Sequence, residues 1–335
     1  MSSIRTSAGC ARALVQKLAP LAVLSIVSGV FGTGCFRAIA TKTQISATRE
    51  ASDAFNTIGD YELAKSAASA GLVQFEGMHV LAPSNEDALF LLLKGWVGYA
   101  FAFPEDDYEA ASDAGDDDLA EYHKKRTRMA YERAIFYGVE LLKERESGFD
   151  DAKKNDAALR SWLDKSFSSK EDAEILFWLG YGWLGRTNIA KDDPAVVADL
   201  FVAVALLDRS RKLDPNVMHH GAETAIASYH ARSAVAELDQ SKTMFEDVLA
   251  KTQRKSLVVQ LNYASRYACL KGDRPLYEKL LNEVLTAEDP DPGQRLANTV
   301  AKRRAKRYLG KAHMTDCGFD MSTPAAPKAN PPSKT

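Results

Sequence analysis

The chain has 335 residues, 46% of them apolar, with 43 Lys and Arg against 45 Asp and Glu, for a formal charge of −2. That balance argues against a nucleic-acid partner, and none is expected; the length allows one extended domain or two compact ones. Four cysteines with no CxxC pair give no metal spacing, and no metal is expected.

From the N-terminus, Arg5, Arg12 and Lys17 precede an uncharged stretch from Leu18 to Phe31, and Gly32-Thr33-Gly34-Cys35 follows. As a helix that stretch covers about 21 Å at ~1.5 Å per residue, short of a hydrocarbon core of about 30 Å, and Pro20 interrupts it. The layout predicts a lipoprotein signal peptide over residues 1–34. Cys35 would then be acylated and hold the mature chain on the periplasmic face of a bacterial membrane. Gly32 stands where such leaders carry Leu, which leaves plain secretion or an uncleaved anchor as alternatives. Phe36 rather than Asp after the cysteine points to the outer membrane. Loss of the leader removes three basic residues and no acid, so the charge falls from −2 to −5.

Beyond the leader, apolar positions recur three and four apart among Ala, Leu, Lys, Glu and Arg, and period-2 runs bounded by turn residues are missing. The pattern predicts helices over 42–58, 60–81, 84–103, 118–145, 155–166, 170–186, 194–212, 216–238, 240–251, 253–271, 273–287 and 291–309. The fold class is all-α. Ser84 is the expected N-cap of the third helix, with acids in its first turn, and Asp193-Pro194 places proline at a first helical position. Gly272 ends one helix and Asp273 opens the next, the tight joint of an antiparallel hairpin.

The segment 88–95, Ala-Leu-Phe-Leu-Leu-Leu-Lys-Gly, is echoed at 173–180, Ala-Glu-Ile-Leu-Phe-Trp-Leu-Gly, with a weaker copy at 257–269 that has Ala264 in the glycine slot. Each small residue should admit a neighbouring helix at close range. Leu81-Ala82-Pro83 and Leu213-Asp214-Pro215 match the Leu-x-Pro that closes a tetratricopeptide (TPR) repeat, and Leu179-Gly180 with Trp183 fits its first helix. Together they predict a TPR-like antiparallel helix-hairpin solenoid of about 11–12 helices over 35–310. Residues 311–335 are expected to be a disordered Pro-rich tail.

Several groups carry candidate chemistry. Trp96, Tyr99 and Phe103 fall on one helical stripe, with Trp178 and Trp183 in the echo; such a stripe serves either as core or as the lining of a groove for an organic solute or a partner. Arg186 and Asn188 lie near a helix end, where they could orient a carboxylate or stand in a solvated loop. Between the third and fourth helices, Glu105-Asp106-Asp107-Tyr108-Glu109 and Asp116-Asp117-Asp118, broken by Pro104, Ser112 and Gly115, read as a solvated acidic loop without calcium-ligand order. His219 or His220 would share a helical face with Glu223, and a third metal ligand would have to come from elsewhere. The cluster Lys302-Arg303-Arg304-Ala305-Lys306-Arg307 reads as a solvated cap, or as a face attracted to anionic lipid or an acidic partner. Acylation of Cys35 leaves Cys269 and Cys317, which either pair in an oxidising compartment or stand as a buried and a loose thiol.

The run Leu-Phe-Leu-Leu-Leu-Lys-Gly-Trp-Val-Gly-Tyr-Ala-Phe-Ala-Phe at 89–103 is followed by an acidic stretch. The long helix after it carries Arg126, Arg128-Met129-Ala130-Tyr131-Glu132-Arg133-Ala134 and Tyr137-Gly138. With Cys35 and the helical body, this resembles the TatT family, the T-component lipoproteins of tripartite ATP-independent periplasmic (TRAP) transporters, over most of 35–310. The resemblance implies a periplasmic TPR-like protein that binds the transporter's solute-binding protein. It also implies a homo-oligomer around a hydrophobic cleft or pore open to small organic solutes. A structural or assembly lipoprotein of the outer membrane is the alternative. Gly-x-Ser-x-Gly, the phosphate loop, the dinucleotide fingerprint and HExxH are all missing, so neither an enzyme nor a cofactor is expected.

Overall fold

The computed structural model describes residues 38–232 and 237–320, so the leader, Cys35 and the Pro-rich end lie outside the described residues. The chain divides into two units, one ending at Thr48 and one running from Arg49. In the first, the described residues are helical, and the Thr48 hydroxyl donates to the Gln44 carbonyl at 2.8 Å.

Among the described residues the structure is all-helical, with no strand. In the second unit a 3₁₀ turn, Ser52–Thr57, precedes α1 (Tyr61–Leu81), α2 (Glu86–Ala102), α3 (Pro104–Ala114) and α4 (Asp117–Arg145). The middle of the chain forms α5 (Asp156–Ser166), α6 (Asp172–Ile189), α7 (Leu200–Leu213), α8 (Gly221–His230) and α9 (Leu238–Lys251). The helix α10 starts as Leu257–Asn262, widens into a π-helix at Tyr263–Ala268 and ends at Cys269–Lys271. Then follow α11 (Arg274–Thr286), α12 (Arg295–Tyr308) and α13 (Lys311–Asp316).

Successive helices pair as TPR-like hairpins: α1 with α2, α6 with α7, α8 with α9, and α11 with α12, while α4 lies against both α2 and α6. The glycine echo explains how two of these pairs close. A Cβ on Gly180 of α6 would stand 2.9 Å from Leu207 Cγ and 3.2 Å from the Ala203 carbonyl oxygen of α7, while one on Gly95 of α2 would stand 3.1 Å from Leu72 Cδ2 of α1. Leu92, Leu93, Ala134, Leu141, Leu176 and Leu179 fill the main core between these helices. Phe245, Tyr277, Leu281 and Ala301 fill a second core toward the C-terminus.

Helix ends match the predicted caps with one shift. Asp193 accepts from Ala195 N–H ahead of Pro194, Gly272 sits at φ 72°, and Asp273 accepts from Leu276 N–H. Asn85, not Ser84, caps α2, by accepting from Ala88 N–H at 2.9 Å. The predicted 216–238 helix is shorter because Met218, His219 and His220 adopt left-handed conformations at φ 46°, 54° and 63° ahead of α8. The 194–212 helix divides at Asp199 into Pro194–Ala198 and α7.

Two boundaries are corrected. The acidic segment is not a loop: Pro104 stands at the first position of α3 with Glu105, Asp106 and Asp107 in its first turn, and proline and early acids both favour a helix start. The helical body also runs past residue 310, because α13 buries Met314 and the chain beyond it buries Phe319. The Cys269 and Cys317 sulfurs are bonded there, 2.00 Å apart, with Cα atoms at 4.9 Å.

Within the second unit the end of the chain returns to its beginning. Leu296 and Val300 of α12 share a core with Tyr61, Ala64 and Phe103. Thr299 donates to the Gly59 carbonyl at 3.2 Å across 240 residues of sequence.

Candidate functional site: a polar cavity beside the ion pairs of two helices

The acids of α3 and the arginines of α12 face each other. Arg304 is 4% exposed and donates to Glu105 Oε1 at 3.3 Å and to the Phe101 carbonyl at 2.7 Å, with its guanidinium over the Phe101 ring. Arg307 pairs with Asp106 at 2.7 Å and with Glu109 at 2.8 Å, while Arg303 reaches Asp106 at 3.1 Å from above the Tyr61 ring. The spacing is the reason. Residues 105, 109 and 113 follow one another at i+4 on α3, and 303, 304 and 307 lie on one face of α12. The predicted solvated basic cap is therefore corrected: the acidic face it meets belongs to the same chain.

Burial and charge set the protonation of this cluster. Burial alone would raise Asp106, but Arg307 and Arg304 outweigh it and hold the carboxyl below its ordinary range. Burial raises Glu105, and Arg304 offsets only part of the shift. Tyr131 donates to Glu105 at 2.5 Å, and both burial and that neighbouring carboxylate push its hydroxyl well up. Burial works against the Arg304 charge, yet Glu109 and Glu105 raise its pKa well above the ordinary value.

Beside this cluster lies a cavity of about 280 Å³. Glu105, Tyr108 and Glu109 of α3 and Lys124 of α4 form one side. Asn188, Ile189, Lys191 and Asp192 come from the end of α6 and the turn after it, Ser265 and Arg266 from the π-helical stretch, and Tyr308 and His313 from α12 and α13. Lys124 pairs with Asp192 at 3.0 Å, Tyr308 donates to Glu109 at 3.1 Å, and His313 lies 3.0 Å from Asp113 while stacking on the Tyr308 ring.

The residues predicted for a groove lie elsewhere. Phe103 and Trp183 are buried in cores, and Tyr99 accepts from Arg126 at 2.9 Å. Trp96 donates to Glu76 at 2.9 Å, and Trp178 packs on Phe177 with Lys94 over its ring. Arg186 stacks 4.9 Å over Trp183 and pairs with Asp199 at 3.5 Å, while its neighbour Asn188 does line the cavity. The structure thus brings Trp96, Tyr99 and Phe103 together, with successive rings under 6 Å apart, and none of the three lines the cavity. His220 Nδ1 lies 3.1 Å from Glu223, which Lys251 also contacts. Among the described residues no group of three or more His, Cys, Asp or Glu is arranged to hold a metal ion. The lining residues Lys191, Ser265 and Arg266 carry no sequence signal of a site, since the π-helical turn that aims two of them has no local signature.

Fold and cavity together define an all-helical, TPR-like protein with a polar cavity open to solvent. The chain belongs to the TRAP transporter T-component family, whose model matches residues 58–315. It is also similar to an "Uncharacterized protein" of Treponema pallidum (strain Nichols), 23% identical over 279 residues that cover 79% of this chain and 83% of the relative. No described helix is long and apolar enough to cross a membrane.

Proposed function

We propose that this T-component is held on the periplasmic side of a bacterial membrane, the outer one, by acylated Cys35. There it docks the solute-binding protein of its transporter and hands small organic solutes to or from it. Membership of the family supports the transporter role, and one surface feature supports the docking. Leu119, Tyr122, Met129 and Phe136 are exposed, Met129 at 68% and Phe136 at 58%, and follow one another at spacings of three and seven along α4. That spacing places them on one stripe about 26 Å long at ~1.5 Å per residue. Four exposed apolar side chains along one face of a long helix, with the charged Arg126 and Glu132 between them, are the kind of surface that a partner covers.

The experiment is to mix purified residues 36–335 with the solute-binding protein encoded beside the gene and to measure complex formation by calorimetry and size-exclusion light scattering. Light scattering of the chain alone reads any homo-oligomer directly. A complex that Met129→Asp and Phe136→Asp each weaken at least tenfold supports the reading. No complex, with or without solute, sinks it. Membrane fractionation of wild type against Cys35→Ala tests the anchor, since only the wild type should label with palmitate and pellet with membranes.

A further inference from the structure

The outer face of α1 is apolar and carries no charge. Val73 and Val80 are 73% and 75% exposed, Leu63 and Leu81 are exposed near its two ends, and Ser66, Ala70 and Gly77 lie open between them. From Leu63 to Leu81 the helix has only two charged residues, and both are turned to neighbouring helices: Lys65 pairs with Asp107 of α3 at 2.8 Å and Glu76 with Arg133 of α4 at 2.6 Å. A water-facing apolar surface of this extent marks a contact. Composition selects its kind. Protein interfaces enrich Tyr, Phe, Met and Arg and are poor in Ala and Ser. The α4 stripe has the first set in Tyr122, Met129, Phe136 and the neighbouring Arg126, whereas the α1 face is aliphatic and small, with no exposed aromatic ring. Such a face offers burial without direction, which suits fluid lipid.

Chain length supplies an independent observation. Arg49 pairs with Asp87 at 2.6 Å, in the first turn of α2 and directly after the turn that closes α1. Cys35 precedes Arg49 by 14 residues. With residues 38–48 helical, that connection reaches at most about 27 Å, at ~1.5 Å per helical and ~3.5 Å per extended residue. An acylated Cys35 therefore brings the bilayer surface within about 27 Å of the point where α1 ends and α2 begins, a distance shorter than α1 itself at about 31 Å.

We infer that the outer face of α1 lies against the phospholipid surface, with Val80 and Leu81 entering the headgroup layer first and Val73 following, and that this contact fixes how the anchored chain stands on its membrane. The inference rests on the proposed acyl anchor and gives that anchor an orientation. It also fits the proposed docking. Arg145 at the end of α4 reaches Glu86 at the start of α2 at 2.8 Å, so α4 ends on the same side as α1. Leu119 and Tyr122, at the other end of α4, are then turned away from the bilayer, toward the side from which a soluble partner arrives.

The test uses the full acylated chain in vesicles of phosphatidylethanolamine and phosphatidylglycerol, with shallow spin-labelled lipid as quencher. An environment-sensitive fluorophore is placed on Val80→Cys, Val73→Cys or Tyr122→Cys, all exposed positions, while Cys269 and Cys317 are bonded to each other and take no label. A helix face in contact with lipid sinks about 5–10 Å into the headgroup boundary, so labels at 80 and 73 should shift to shorter wavelength and be quenched at least about threefold more than the label at 122. Adding Leu81→Asp to the labelled Val80→Cys chain should reduce that quenching. Equal quenching at 80 and 122 overturns the inference. So does a wavelength shift at 80 that grows with protein concentration without vesicles, which assigns the face to a second copy, or one that appears only with the solute-binding protein, which assigns it to that partner. Palmitate incorporation is read on the same samples. An acylated chain with position 80 unquenched removes this orientation alone, and a chain without palmitate removes the anchor and the orientation together.

Discussion

Arg304 donates to Glu105 across 199 residues of sequence, and neither side chain is more than a tenth exposed. The pair fastens α12 to α3 at the edge of the cavity, in a place where an unpaired charge could not be solvated. Around it Asp106 and Glu109 accept from Arg303 and Arg307, so each charge has a partner. The wall of the cavity is therefore set by contacts between the two ends of the helical body rather than by any single repeat.

Arg304→Met should lower stability by about 3–5 kcal/mol, because removing one partner of a buried pair leaves the other charge without compensation. Adding Glu105→Gln removes the stranded charge and should recover a measurable part of the loss. Urea unfolding at constant m value reads both. A double variant no more stable than Arg304→Met alone would show that the pair is not the source of the loss.

Acid should weaken the fold with a sign that the carboxylates fix. Burial would raise Glu76, but hydrogen bonds from Arg133, Tyr137 and Trp96 lower it from the ordinary 4.5 to about 2, and Asp106 is also lowered. Both groups contribute stability that is fully present above their ordinary values and lost as pH falls through their depressed ones. Glu105 acts in the opposite direction, since its raised pKa favours the folded state once it is protonated. The denaturant midpoints of wild type and Glu76→Gln should therefore differ most above about pH 4.5 and converge toward pH 2, measured by urea titration across that range. A constant difference would remove the ionic role of Glu76.

The hairpins were legible because their information is local. The echo at Gly95 and Gly180, the Gly272-Asp273 joint and the Asp193-Pro194 start each act within a few residues, and each appears where the pattern places it. The helix α3 was not legible, since Pro-Glu-Asp-Asp-Tyr-Glu-Ala-Ala-Ser-Asp-Ala has almost no apolar face and its acids read as solvated. What buries Glu105 and Asp106 is a set of arginines nearly 200 residues away. The available clue was the pairing of patterns: acids at i, i+4 and i+8 after a proline, and arginines at i, i+1 and i+4 in the one strong basic cluster. The cavity was hidden for the same reason, as Lys191 and Arg266 gain meaning only when the turn after α6 and the π-helical stretch meet.

The close approach at Gly180 predicts a contrast with a glycine that has space. Gly180→Ala puts its Cβ 2.9 Å from Leu207 and 3.2 Å from a backbone oxygen that cannot give way, so it should destabilise by about 1–3 kcal/mol. Gly98→Ala in α2 meets nothing within 4 Å and should stabilise by about 0.5–1 kcal/mol through helix propensity. Thermal unfolding of the two variants should move in opposite directions. A shift of the same sign in both would show that packing at Gly180 does not control the α6–α7 distance.

The Cys269–Cys317 bond closes a 48-residue separation around α11 and α12. Loop-closure entropy for that length corresponds to about 4 kcal/mol, an upper figure because the reduced unfolded chain retains some order. Reduction, or Cys269→Ser with Cys317→Ser, should lower stability by about 2–4 kcal/mol under otherwise identical conditions. The loss should appear first at α13, the short last helix, where Met314 and Phe319 are buried and His313 pairs with Asp113. Hydrogen exchange can locate it: amides of 311–319 should lose protection on reduction while those of α6 and α7 keep theirs. Uniform loss of protection across the chain would mean that the bond supports the whole body rather than its last helix.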